Sequence, residues 1–154
     1  MPNWCENSLL VTGDERELAE FKEKAKSKGT DLEVNNFLPT PKELLDGTSP
    51  YQGDDKSKEE LIKKYGAADW YDWQVKNWGV KWSVAADLIS ENPESLLYGF
   101  NSAWDSPIKF FEKISTEFPN LLFKLKYDEP GVGFMGLAKI SNGKVDKQQI
   151  DYWK

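Results

Sequence analysis

The chain has 154 residues, 20 basic against 26 acidic side chains, a formal charge of −6, no histidine and one cysteine, Cys5. The acidic balance argues against non-specific DNA binding through a broad basic surface, and the absence of histidine removes Ser-His-Asp and Cys-His catalysis and histidine metal sites. A lone thiol excludes an internal disulfide or a multi-thiolate centre; with no leader pattern and no apolar run of spanning length, the expectation is a cytoplasmic, non-membrane protein of one domain, residues 1–154.

Leu9, Leu10 and Val11, closed by Gly13, predict a buried first strand. Asp14 with Glu17 makes a capping pair for a helix whose core stripe is Leu18, Phe21 and Ala25, with Gly29 as its left-handed stop. Leu32, Val34 and Phe37 suggest a second extended segment ended by Pro39 and Pro41. Residues 48–56 carry turn formers and charges without a period, which predicts a mobile surface loop. Ser57 with Glu60 reads as the cap of a helix running to Tyr65 and stopping at Gly66. Asp69 caps the next, Trp70 to Trp78, which ends at Gly79 and places Trp70, Trp73 and Asn77 on one stripe.

Beyond Gly79 the period becomes two. Trp82, Val84, Ala86 and Leu88 share one face, and after a turn at 90–94 Leu96, Tyr98 and Phe100 alternate in an antiparallel partner. Asp105 or Ser106 caps a helix with core residues Ile108, Phe111, Ile114 and Phe118. Leu121, Phe123, Leu125 and Tyr127 mark a half-buried strand with a lysine face, Asp128 to Gly131 a turn, and residues 133–140 a return strand whose glycines signal a bulge or close backbone approach. A short tail follows Asn142-Gly143. With an insertion at about 38–79 set aside, the order is a βαββαβ core with one additional strand: an α+β, split-βαβ fold in which two helices cover one face of an antiparallel sheet.

Four indoles fall within residues 70–82. One reading is a binding wall, with Trp73 offering a stacking face, Asn77 a directed amide and Lys81 a charge; the other is a core built around rings. Asn3, Trp4 and Asn7 pose the same choice between fixing a polar ligand and satisfying backbone at the sheet's edge. Cys5 has no predictable activating cation. Asp72, Asp105, Asp128 and Glu129 are the carboxylates from which an acid/base pair would be drawn, although capping and turn roles account for them too. Tyr98-Gly99-Phe100 matches only the centre of an RNA-binding strand signature.

Taken together, Met1-Pro2-Asn3-Trp4-Cys5 with Asn7, Tyr71-Asp72-Trp73 with Asn77-Trp78-Gly79 and Lys81-Trp82, Phe100 with Ala103-Trp104 and Pro107, and Tyr127 with Glu129-Pro130-Gly131, Phe134 and Gly136 resemble the YubB-type ferredoxin-like domain family of bacteriophage and plasmid proteins. The resemblance implies a ferredoxin-like topology and a mobile-element setting inside a bacterium; it brings no activity with it, and one cysteine cannot hold an iron–sulfur cluster. The expectation is a non-catalytic accessory protein, without cofactor or metal, that binds a host protein or other macromolecule, or a nucleotide-like small molecule, through Trp4, Asn7, Trp73, Asn77, Lys81 and Trp104. The alternative is an acidic face around Asp54, Asp55, Glu59 and Glu60 that inhibits a host nucleic-acid-handling or defence protein; a carboxylate enzyme is the third reading.

Overall fold

The computed structural model describes residues 2–153. Strand β1 (Trp4–Gly13) is followed by α1 (Glu15–Ala25), the two-residue β2 (Leu32–Glu33) and four helices, α2 (Val34–Phe37), α3 (Lys42–Leu45), α4 (Asp55–Tyr65) and α5 (Trp70–Trp78). Then come the hairpin β3 (Ala85–Asn92) and β4 (Ser95–Ala103), helix α6 (Ile108–Ser115), and the meander β5 (Leu121–Glu129), β6 (Phe134–Ser141) and β7 (Lys144–Asp151). The sheet order is β2-β3-β4-β1-β5-β6-β7, with every pairing antiparallel. Its centre, β3-β4-β1-β5, is the split-βαβ arrangement: α1 connects β1 to β3 across β4, and α6 connects β4 to β5 across β1.

Side-chain alternation sets the two faces of this sheet. Cys5, Asn7, Leu9 and Val11, Leu96, Tyr98 and Phe100, and Phe123, Leu125 and Tyr127 are buried beneath the helices, while the residues alternating with them face away. Phe21 of α1 sits at the hub of the core, with ring centroids 5.4 Å from Phe37, Phe118 and Phe123 and 6.1 Å from Tyr98. Full burial of each such side chain is worth about 1.5–3 kcal/mol, so a few rings anchor the helical layer. Phe110, which the helical stripe did not single out, is fully buried beside Phe111 at 5.0 Å.

Several boundaries differ from the sequence reading, each because a side chain intervenes. Helix α1 stops at Ala25 rather than at Gly29, because the Asn36 amide donates to the carbonyls of Lys24 and Lys26; Gly29 instead shapes the tight Ser27–Thr30 turn. Of the second extended segment only Leu32–Glu33 pairs with β3, and Val34 to Phe37 turn helically so that both apolar side chains enter the core. Helix α4 begins within the segment expected to be a loop, and its cap is Asp54 rather than Ser57: the Asp54 carboxylate accepts from Ser57 N at 2.7 Å. That hydrogen bond, with a second from the Ser57 hydroxyl, holds the Asp54 pKa below its ordinary value.

Strand β3 starts at Ala85, leaving Trp82 outside it, and a bulge at Ile89 carries the strand through Asn92 to a two-residue turn. Helix α6 takes neither Asp105 nor Ser106 as its cap; the Asp105 carboxylate accepts from Ser106 N and the Ser106 hydroxyl is engaged elsewhere. Asp128 and Glu129 belong to β5, where the fully buried Glu129 carboxylate accepts from Gly131 N and Val132 N at 2.8 and 2.7 Å. The tail after Gly143 is an edge strand, so the core carries β2, β6 and β7 rather than one addition. Gly136 in β6 marks a close approach: a Cβ there would lie 2.3 Å from the Tyr127 hydroxyl, whose ring crosses that position to donate to Gln149 Oε1.

Candidate functional site

Three tryptophans gather where β1 begins, β4 ends and the chain enters β3. Trp4, Trp82 and Trp104 are 46, 41 and 45 % exposed, and the Trp4 and Trp82 ring centroids are 6.3 Å apart. The Lys81 ammonium lies 4.0 Å from the ring centroids of both Trp82 and Trp104. An exposed cation–π contact is worth about 0.5–1 kcal/mol, enough to hold the lysine between the rings and too little to fix it there.

The backbone beneath these rings is strained. Trp82 and Trp104 both have φ of +67°, a left-handed conformation that costs a side-chain-bearing residue roughly 1–2 kcal/mol, and bulky residues seldom adopt it. Each is pinned from outside its own element. Trp82 N donates at 2.8 Å to Oε1 of the buried Gln74 on α5, whose amide donates in turn to Thr40 Oγ1. Trp104 N donates at 2.8 Å to Asn3 O, and Asn3 is seated against Gly131, where a Cβ would stand 2.4 Å from the Asn3 Cγ. Glycine in the β5–β6 turn thus permits the N-terminal segment to hold Trp104.

The other candidates lie apart from this cluster. Asn7 is a buried polar hub: its Nδ2 donates to Cys5 O and Ser102 Oγ, and its Oδ1 accepts from Ser106 Oγ at 2.6 Å. With both ends of the amide engaged, it joins β1 to β4 and to the approach of α6. Trp73 is in the core, edge-on to Trp78 at 5.6 Å. Asn77 donates to Trp73 O and accepts from Lys113 Nζ, binding α5 to α6. So the cluster holds Trp4, Lys81 and Trp104 of the six, together with Trp82, which the period-two pattern places on one strand face with Val84, Ala86 and Leu88. Nothing local marks a positive φ at tryptophan, since glycine or asparagine is the ordinary residue there.

Three of the groups considered for catalysis, Cys5, Asp105 and Glu129, are buried or hydrogen-bonded. Burial, with the charges of Asp105 and Glu129 nearby, pushes the Cys5 thiol up to about 12, so no thiolate forms at neutral pH. Glu129 and Asp105 accept backbone hydrogen bonds, and Asp72 lies exposed on α5, away from the sheet strand that carries Asp128. Asp54, Asp55, Glu59 and Glu60 alternate along α4 with Lys56, Lys58, Lys63 and Lys64, which interrupts any face of one sign.

The model of the ferredoxin-like domain in Api92-like proteins matches residues 77–154. The chain belongs to this family. Its fold is similar to the crystal structure of the protein Api92 from Yersinia pseudotuberculosis, with a TM-score of 0.60 at 12% identity over 97% of this chain and 98% of that one; at that identity the likeness concerns the fold alone. No curated protein matches. The Api92-like region begins at Asn77 and takes in Lys81, Trp82, Trp104 and the whole β3–β7 platform, whereas Trp4 and Gln74 lie before it. The exposed cluster therefore joins the family-matched part of the chain to its N-terminal part.

Proposed function

We propose that this Api92-like protein is a non-catalytic accessory protein of a phage or other mobile element, acting in the bacterial cytoplasm by binding a nucleotide-like ligand at Trp4, Trp82, Trp104 and Lys81. The observation that carries the reading is the pair of solvent-exposed tryptophans held at φ +67° around one ammonium. Strained residues persist where the surroundings over-determine them, and they concentrate at sites of use. Indole faces stack on any base, and a charge-assisted hydrogen bond from lysine to phosphate, at about 1.5–3 kcal/mol, exceeds the cation–π contact that holds Lys81 at rest. The ligand's ring would lie on the indoles and its phosphate would draw Lys81 from the slot between them.

Tryptophan fluorescence of the full chain, titrated with unphosphorylated nucleosides, with nucleoside mono- and triphosphates and with short single-stranded oligonucleotides, tests this. Saturable quenching is expected, weakened about 10-fold or more by Trp104→Ala, since stacking contributes about 1–3 kcal/mol per base, and weakened for phosphorylated ligands only by Lys81→Ala. A flat response to every nucleotide would overturn the nucleotide reading and direct attention to a protein partner for the same rings.

A further inference from the structure

The helices cover one face of the seven-stranded sheet. On the other face, β1, β5, β6 and β7 form a concave groove of about 580 Å³, within the ~300–1,000 Å³ range usual for small-molecule sites. Its floor is apolar, with Met135 and Leu137 of β6 beside Ile150 of β7, and Met135 and Ile150 are well exposed. Two carboxylates stand at one end. Glu6 and Asp128 are direct cross-strand partners in the β1–β5 register and both line the groove.

Like charges directly opposite one another destabilise a sheet, so this pairing needs a reason. Neither carboxylate forms an ion pair among the described residues. The remaining cross-strand neighbours are Asn101 for Glu6 and Met135 for Asp128, neither of them cationic. Lys126, one cross-strand pair further along, lines the same groove without reaching either acid. One oxygen of Asp128, Oδ1, is shielded from solvent and has no hydrogen-bond partner, and a buried acceptor left unmade is costly. An apolar trough that ends in two opposed carboxylates, one with an idle buried oxygen, is complementary to a particular chemistry.

We propose that this groove binds a small cationic amphiphile, a molecule with an aliphatic or aromatic body along Met135, Leu137 and Ile150 and a protonated amine or guanidinium between Glu6 and Asp128. The ligand supplies the countercharge that the cross-strand pair lacks, while its body covers exposed apolar surface. The groove shares no lining residue with the tryptophan cluster, though Glu6 follows Trp4 by two positions on β1, and its charge preference is opposite, so either site can fail while the other stands.

The test follows backbone amide resonances of the full chain during titration with hexylguanidinium, with hexanoate and hexanol as probes of the same body without the positive head. The cation should produce saturable shifts at Glu6, Asp128 and Leu137 that neither control reproduces. Asp128→Asn, which keeps the shape and removes the charge, should weaken binding about 10-fold or more. Glu6→Gln, on an exposed side chain, provides a second variant with little risk to folding. Both substitutions relieve the like-charge opposition and should raise the melting temperature of the ligand-free protein by about 1–3 °C. Equal shifts from hexanol or hexanoate, no saturable shift from the cation at millimolar concentration, or unchanged affinity in both variants would overturn the proposal.

Discussion

Two groups of tryptophans lie within one short stretch of this fold and behave in opposite ways. On α5, Trp73 and Trp78 are buried edge to face, and the Trp78 indole N–H donates to Leu38 O at 3.0 Å. A few residues on, Trp82 is 41 % exposed, left-handed in its backbone, and joined by Trp4 and Trp104 from distant parts of the sequence. In the first group the rings fill space and the polar atom of Trp78 is satisfied, which is what a core requires of tryptophan. In the second the backbone is bent at a cost and the rings remain in water. The difference separates indoles that build the molecule from indoles available to something else.

The largest test of that contrast is Trp78→Ala. Emptying a fully buried indole site should cost about 3–5 kcal/mol, read as a lower denaturation midpoint in urea, whereas Trp104→Ala should cost less than about 1 kcal/mol. Comparable losses from the two would make the exposed rings structural and dissolve the distinction. An intermediate effect is expected at Asn7, whose replacement by Ala strands the Ser106 hydroxyl in a buried setting; equilibrium unfolding should register a loss of about 1–3 kcal/mol with nucleotide binding per molecule unchanged. If Asn7→Ala instead abolished binding in a fully folded protein, Asn7 would belong to the site rather than to its foundation. Smallest of all, Trp82→Gly and Trp104→Gly relieve a left-handed strain of roughly 1–2 kcal/mol while giving up partly exposed packing. Net stability should move by less than about 1 kcal/mol, measured by thermal unfolding, and a loss as large as that of Trp78→Ala would show that these rings hold the fold.

Much of the architecture was legible because its causes are local. Asp69 and Gly79 bracket α5 with a side-chain cap and a left-handed stop, both carried by the residues themselves. The alternation of Leu121, Phe123, Leu125 and Tyr127 set the face of β5, because strand geometry turns every second side chain the same way. Legibility ended where a distant partner decided the outcome. Asn36 ends α1 from ten residues away or more, and Glu129, read as a turn residue, ties the turn down from the buried end of β5. The tail became β7 because β6 presented an edge for it to pair with, although its own polar sequence has little of a strand's pattern.

The candidate sites divide along the same line. Lys81 and the tryptophans stand out in the sequence as residue types suited to binding. Their convergence depends on the β1–β4 register, which sets Trp4 opposite Ala103, and on Gln74 and Asn3, which hold two loops in left-handed turns. Likewise, Glu6 and Asp128 are unremarkable acids 122 positions apart in the chain until the β1–β5 register brings them face to face. Capping, periodicity and composition act over a few residues, so the sequence by itself determined α1, α5 and α6, the faces of β1, β4 and β5, the sheet class and the absence of histidine chemistry. Which tryptophans meet water and which carboxylates meet each other was decided only by the tertiary structure, since both depend on strand order and register across the whole chain.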